Sequence, residues 1–115
     1  MKYKKFIKPW GHELLLEKNK NYMLKKLLMK KGHRCSLQFH NKKIETLYIL
    51  SGKLKIYIGS TSKKLKSSIY LPTQTLTLKP KIIHRMEALS DCIYLEVSTP
   101  ELLDVVRISD DYSRV

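Results

Sequence analysis

The sequence has little of what would place it in a membrane, a disulfide scaffold or a disordered tail. No run approaches the ~18–20 consecutive apolar residues that a membrane-spanning helix needs. The basic segment from Met1 to Pro9 is followed by neither an apolar stretch nor a small-residue cleavage site, which argues against a secretory signal. Cysteine occurs only at Cys35 and Cys92, far apart and outside any C-x-x-C pair. That rules out a disulfide framework or an all-cysteine zinc site, and both thiols are expected to be buried in strands. An apolar content of 43% in 115 residues exceeds what a disordered chain carries and suits one core. These absences predict a soluble, cytoplasmic chain that folds as one domain over residues 1–115.

Acidic residues are also scarce: 10 against 23 basic ones, for a net charge of +13. Such an excess is the footprint of a polyanion binder, but arginine, the residue suited to bidentate phosphate contacts, supplies only 4 of the 23. The lysines are scattered along strand-like stretches (Lys53, Lys55, Lys63, Lys64, Lys66), where they blunt edge aggregation. Nucleic acid is therefore not the expected partner. Charge is unevenly spread, at +17 over residues 1–81 and −4 over 82–115, so the C-terminal acids should meet N-terminal bases when the fold closes.

What is abundant is strand pattern. Residues 36–40, 46–50, 54–58, 75–78, 92–97 and 103–108 alternate or run apolar at strand length. Residues 22–30 fit either a short helix or a strand. Ser51-Gly52 reads as a hairpin turn, and Pro72, Pro80, Pro100, Gly32 and Gly59 punctuate the rest. Many short strands without intervening helices predict an all-β sandwich or barrel.

Four side chains could carry chemistry: Gln38, His40, Glu45 and His84. Gln38 and His40 lie two apart and share a strand face. A turn then lets Glu45 open the next strand of an antiparallel pair, and His84 arrives from a distant segment. Two imidazoles, a carboxylate and an amide oxygen suit a divalent ion of borderline softness, with open positions for a substrate. His12 and His33 lie near turns and are expected at the surface. Turning Glu45 inward takes Leu47 and Ile49 with it. Leu37, Phe39, Tyr48 and Leu50 are then left on an outer apolar face that other strands or a second subunit must cover, and a homodimer is expected.

The stretch from Gly32 through Gln38, His40 and Glu45 to Gly52 resembles the first cupin motif, with Gln38 in place of the more usual first histidine. Pro80 to Arg85, with His84, resembles the second. Lys8 to Gly11, Ser36 to His40, Glu45 to Tyr48, His84-Arg85, Leu95 to Val97 and Val106 to Arg114 are similar to the type II mannose-6-phosphate isomerase domain, the C-terminal part of bifunctional phosphomannose isomerase/GDP-mannose pyrophosphorylase enzymes. The similarity runs from about Pro9 to Arg114. It implies a cupin fold (a double-stranded β-helix, or jelly-roll barrel) and a divalent cofactor, Zn first, with Co, Mn, Ni or Fe as others. The implied activity interconverts mannose 6-phosphate and fructose 6-phosphate through a cis-enediol. Only the isomerase domain is matched, so a pyrophosphorylase reaction is not implied.

By position in the matching segments, Arg107 is the expected cation beside the developing oxyanion, unless it pairs with Asp110 or Asp111, and Arg85 is second choice. Glu96 is a candidate general base or a group that orients a metal-bound histidine. Lys81, in the second motif, and Tyr48 are the expected contacts to a sugar phosphate. The family's His-Trp after the glutamate is Thr46-Leu47 here, and its Tyr-Gly-Arg ending is Tyr112-Ser113-Arg114. A metal-binding cupin that acts on or binds another carbohydrate, without mannose 6-phosphate turnover, is the alternative.

Overall fold

The computed structural model describes residues 3–114. Eleven strands and no helix are found among them: β1 (Lys4–Lys8), β2 (Gly11–Lys18), β3 (Met23–Met29), β4 (Leu37–Phe39), β5 (Glu45–Ser51), β6 (Leu54–Gly59), β7 (Lys66–Tyr70), β8 (Thr75–Leu78), β9 (Ile83–Ala88), β10 (Cys92–Ser98) and β11 (Val106–Ser109). They form a six-stranded sheet in the order β1-β2-β3-β10-β5-β8 and a five-stranded sheet in the order β11-β4-β9-β6-β7, with every pairing antiparallel. This is the all-β, two-sheet architecture that the strand pattern predicts, and it agrees with the barrel that the motif resemblance implies. Residues 22–30 resolve as strand β3, whose alternating Met23, Lys25, Leu27 and Met29 are all buried.

Two expected hairpins are instead corners. β4 pairs with β9 and β11, whereas β5 pairs with β10 and β8, so residues 41–44 carry the chain from one sheet to the other. Ser51-Gly52 does the same between β5 and β6. Both edges of β5 are already taken by strands remote in sequence, and the chain has to leave the sheet. Gly52 is required at that corner: its φ is +86°, and a Cβ would lie 2.2 Å from the Asp91 carbonyl oxygen. The expected strand over residues 103–108 is strand only from Val106; residues 100–105 form an irregular strap.

The core lies between the sheets and is built from Trp10, Leu27, Met29, Leu47, Ile49, Leu54, Ile56, Leu78, Met86, Ala88 and Tyr94, with both thiols buried and free. Polarity changes along the inward face of each strand. On β5 the inward series is Glu45, Leu47, Ile49; on β10 it is Ser98, Glu96, Tyr94, Cys92; on β9 it is His84, Met86, Ala88; on β3 it is Lys25, Leu27, Met29, with Met23 beyond Lys25 as the one apolar side chain at the polar end of these series. One end of the sandwich is therefore hydrocarbon and the other carries ionisable groups. The C-terminal acids do meet N-terminal bases, as in Glu96–Lys43 and Asp111–Arg34.

Candidate metal centre

At the polar end the two sheets converge on three buried side chains. His84 projects inward from β9, His40 follows β4, and Glu45 opens β5 in the facing sheet. The Nε2 atoms of His40 and His84 each stand 3.3 Å from Glu45 Oε1, and the rings are 5.1 Å apart. The tautomers follow from the other ring nitrogens. His40 Nδ1 donates to the Asp104 carbonyl and His84 Nδ1 to the Ile82 carbonyl at 3.0 Å, so each neutral ring presents an Nε2 lone pair to the carboxylate.

None of these three atoms makes a hydrogen bond, although all are buried. Lone pairs held this close without a donor repel one another, and only a cation, as an ion or as protons on the rings, reconciles them. Two donors ~2.1 Å from a shared ion lie about 3.0–3.4 Å apart for octahedral to tetrahedral angles, which both nitrogen–oxygen spacings meet, and all three donor atoms lie within 4.8 Å of one another. The residues present therefore fit a divalent ion.

Gln38 is the cross-strand partner of His84 and lies in the same cavity wall as His40. Its Oε1 accepts a hydrogen bond from Ser36 Oγ at 2.6 Å, leaving a second lone pair. Lys43, one of many lysines and not singled out by the motifs, proves central: it is buried, with Nζ 3.5 Å from Glu45 Oε2 and 3.4 Å from Glu96 Oε2. Burial alone would lower its pKa, but the Glu96 and Glu45 carboxylates push it up to about 12. Burial likewise works to raise Glu45, yet without an ion the two rings, once they carry a proton on Nε2, and the Lys43 ammonium hold it well below the usual carboxylate range. Glu96 goes the other way, pushed up to about 7 by burial and by the Glu45 charge. Lys25 and Glu13 extend the row, paired at 3.3 Å on the inner faces of β3 and β2. Their inward phase could have been read from Leu27, Met29 and Leu15, which share their strand faces.

A cavity of about 190 Å³ adjoins the site, lined among others by Lys8, Gln38, His40, Lys43, Glu96 and Arg107. Arg107 and Glu96 thus both reach it. Asp110 pairs with Arg114, and Asp111 with Arg34 and Arg85. Three expected residues lie elsewhere. Arg85 neighbours His84 and so faces the opposite side of β9, where it donates to the Cys35 carbonyl at 2.9 Å. Tyr48 is three residues from Glu45 and lies on the outer face of β5, 38% exposed. Lys81 is exposed, bonded to Asn41 Oδ1 and set over the Phe39 ring outside the cavity lining. His33 is half-buried rather than at the surface, bonded to the Tyr112 hydroxyl at 2.7 Å.

Asp104, another residue without a motif, anchors the 41–43 backbone. Its carboxylate accepts the amide N–H groups of Asn41, Lys42 and Lys43 at 3.0, 2.7 and 3.0 Å. Those donors, Lys42 foremost, hold its pKa at about 2.

Residues 1–110 match the family model described as mannose-6-phosphate isomerase C-terminal. A mannose-1-phosphate guanylyltransferase of Escherichia coli K12 is 30% identical over 98% of this chain and 24% of its own length. The mannose-1-phosphate guanylyltransferase ManC of Salmonella typhimurium is 29% identical over the same shares. The chain thus spans about a quarter of the length of these curated relatives. Among solved structures, Lactobacillus farciminis oxalate decarboxylase aligns with a TM-score of 0.78 at 13% identity, over 92% of this chain and 33% of that one. The capsular polysaccharide assembling protein CapF of Staphylococcus aureus gives 0.75 at 15% identity, over 91% and 34%. KdgF of Halomonas sp. gives 0.75 at 12% identity, over 88% and 87%.

Proposed function

The chain belongs to the mannose-6-phosphate isomerase C-terminal family, and from that premise we propose that it is a metal-dependent sugar-phosphate isomerase interconverting mannose 6-phosphate and fructose 6-phosphate. The observation that carries this reading is the unsatisfied His40–Glu45–His84 cluster, whose His40 lines a cavity that also holds Glu96 and Arg107. A divalent ion held by His40, Glu45 and His84, with the free lone pair of Gln38, would supply Lewis acidity toward the sugar's carbonyl and hydroxyl oxygens. Zn suits the donor set best, and Co, Mn, Ni or Fe are compatible with it. Manganese has a parallel in Bacillus subtilis oxalate decarboxylase, described with Mn(II) centres and aligned at a TM-score of 0.78.

The chain's own groups account for the proton traffic. Glu96, with a pKa near 7, is suited to take the proton from C2 of the aldose and return it to C1, while the hydroxyl proton moves between O2 and O1. Lys43 holds Glu96 in place. Arg107 stands in the cavity wall beside Gln38 and supplies positive charge where the enediolate oxygen forms. With Lys81 outside the cavity, Lys8 in its lining is the better phosphate contact.

Protein stripped with chelator and reloaded with Zn or Co should convert mannose 6-phosphate, read by a coupled assay for fructose 6-phosphate. Tight metal occupancy without turnover of this sugar would leave the second reading, a cupin that binds or transforms another carbohydrate. The likeness of fold to CapF, described as a capsular polysaccharide assembling protein, makes that reading the runner-up.

We also infer that a second copy covers the outer face of the six-stranded sheet. Leu95 and Val97 of β10 lie there beside Tyr48 and Thr46 of β5, and Tyr48, Leu50 and Val97 are each 38% or more exposed. A flat apolar face can pair with itself across a twofold axis. Sedimentation should give a dimer, and Val97→Lys should shift it to monomer; a monomeric parent at micromolar concentration overturns the assignment.

A further inference from the structure

We propose that Asp104 is a positioning residue that couples closure of the 100–105 strap over the cavity to the aim of the His40 ligand nitrogen. The inference rests on the metal reading above and goes beyond it by tying the mouth of the cavity to the ligand cage.

The strap contributes Leu102, Leu103, Asp104 and Val105 to the cavity lining, and Leu103 is 88% exposed. Its ends are held independently of Asp104. At one end Thr99 N–H donates to the Ile44 carbonyl at 3.0 Å and Thr99 Oγ1 accepts from Ile44 N–H at 3.1 Å. At the other end β11 pairs with β4, Val106 opposite Phe39. Between these anchors the strap's own backbone bonds are short-range turns: Leu102 to Pro100, Asp104 to Glu101, and Val105 to Leu103.

Asp104 joins this irregular segment to the site in two directions. Its carbonyl accepts from His40 Nδ1, which sets the ring's tautomer and rotation. Its carboxylate gathers the amides of Asn41, Lys42 and Lys43, the residues that immediately follow His40. Lys43 ends that run and reaches Glu45 and Glu96. A strap that lifts away must therefore release the His40 ring and loosen the backbone carrying Lys43. Linkage makes the effect reciprocal: an ion that favours the aimed imidazole also favours the closed strap, by the same factor. Partners of this kind, bonded to the remote nitrogen of a ligating histidine, typically change metal affinity 10–100-fold.

The experiment uses Zn alone as the probe, on the full chain, in the parent, Asp104→Ala and Asp104→Asn. Zn affinity is read by chelator competition, and strap opening by the rate of chymotrypsin cleavage after Leu102 and Leu103, with and without Zn. In the parent, Zn should slow that cleavage severalfold. Asp104→Ala keeps the main-chain carbonyl that meets His40 but removes the carboxylate that ties that carbonyl's residue to the 41–43 backbone. It should therefore bind Zn severalfold to about 10-fold more weakly and lose most of the Zn dependence of cleavage. Asp104→Asn keeps an oxygen for the amides and should recover part of both, which guards against a variant that merely folds poorly. A parent that binds Zn while Asp104→Ala matches it within twofold, or is equally protected by Zn, overturns the coupling alone. A parent that binds no Zn overturns the metal reading and the coupling together.

Discussion

Replacing His40 or His84 by alanine is expected to abolish stoichiometric metal uptake, the largest effect any single substitution should have on this protein. Each change leaves one imidazole and Glu45 as strong donors, too few to hold a divalent ion against dialysis. Elemental analysis of the dialysed variants reads the loss directly. Thermal unfolding supplies a second measure: an ion at 100 times its dissociation constant stabilises the parent by about 2.7 kcal/mol, and this increment should vanish in both variants. Gln38→Ala should weaken uptake without ending it, because the amide oxygen already accepts from Ser36 and adds only its remaining lone pair. Retention of one ion per chain in both histidine variants would refute the cage.

Lys43→Met is expected to destabilise the metal-free fold by about 3–5 kcal/mol, the penalty for leaving buried carboxylates without their counter-charge. Lys43 Nζ is the ammonium shared by Glu45 and Glu96. The pH dependence gives this expectation a sign. Glu96 has its folded-state pKa raised from 4.5 to about 7 by burial and by Glu45, so the folded protein holds that proton more tightly than the unfolded chain does. Its contribution to stability is present in full below about 4.5 and is lost as the pH rises through about 7. Glu96→Gln has no such proton to lose. Urea midpoints of the metal-stripped proteins at pH 5 and pH 8 should therefore fall more steeply for the parent than for Glu96→Gln. Lys43→Met should push the fall to higher pH, since the ammonium that favours the charged carboxylate is gone. Parallel pH profiles in the parent and Glu96→Gln would remove Glu96 as the group titrating near neutrality.

Strands were legible where alternation ran unbroken, as in residues 75–78, which match β8 to the residue, or where an apolar run had strand length, as in 46–50 and 92–97, which fall inside β5 and β10. The inward turn of Leu47 and Ile49 with Glu45 followed from parity alone. β9 was not legible, because His84, Arg85 and Glu87 interrupt its hydrophobic signal, and β2 was hidden in the same way by His12 and Glu13. Which strands pair was not legible either, since Ser51-Gly52 turns the chain equally well within a sheet or between two. At the site, the spacing of Gln38, His40 and Glu45 identified groups that do converge. Lys43 escaped because its meaning lies in burial, and nineteen lysines of like chemistry conceal which of them, here Lys25 and Lys43, are buried. Asp104 escaped because it works through backbone amides that leave no trace in the sequence. Arg85 and Tyr48 could have been set aside beforehand: each stands an odd number of positions from a ligand on its own strand, and pleating sends it to the other face.

The lengthwise change from ionisable to hydrocarbon side chains along β3, β5, β9 and β10 bears on how the chain avoids misalignment while folding. A slip of two residues is the error that pleating alone tolerates, because it keeps every side chain on its proper face. Here that slip in one direction would push Glu45 toward Leu47's berth among aliphatic neighbours, and in the other it would draw Leu47 into the charged end, so either misaligned ladder is penalised. The groups that equip the mouth for chemistry thereby also police the alignment of the strands that bear them.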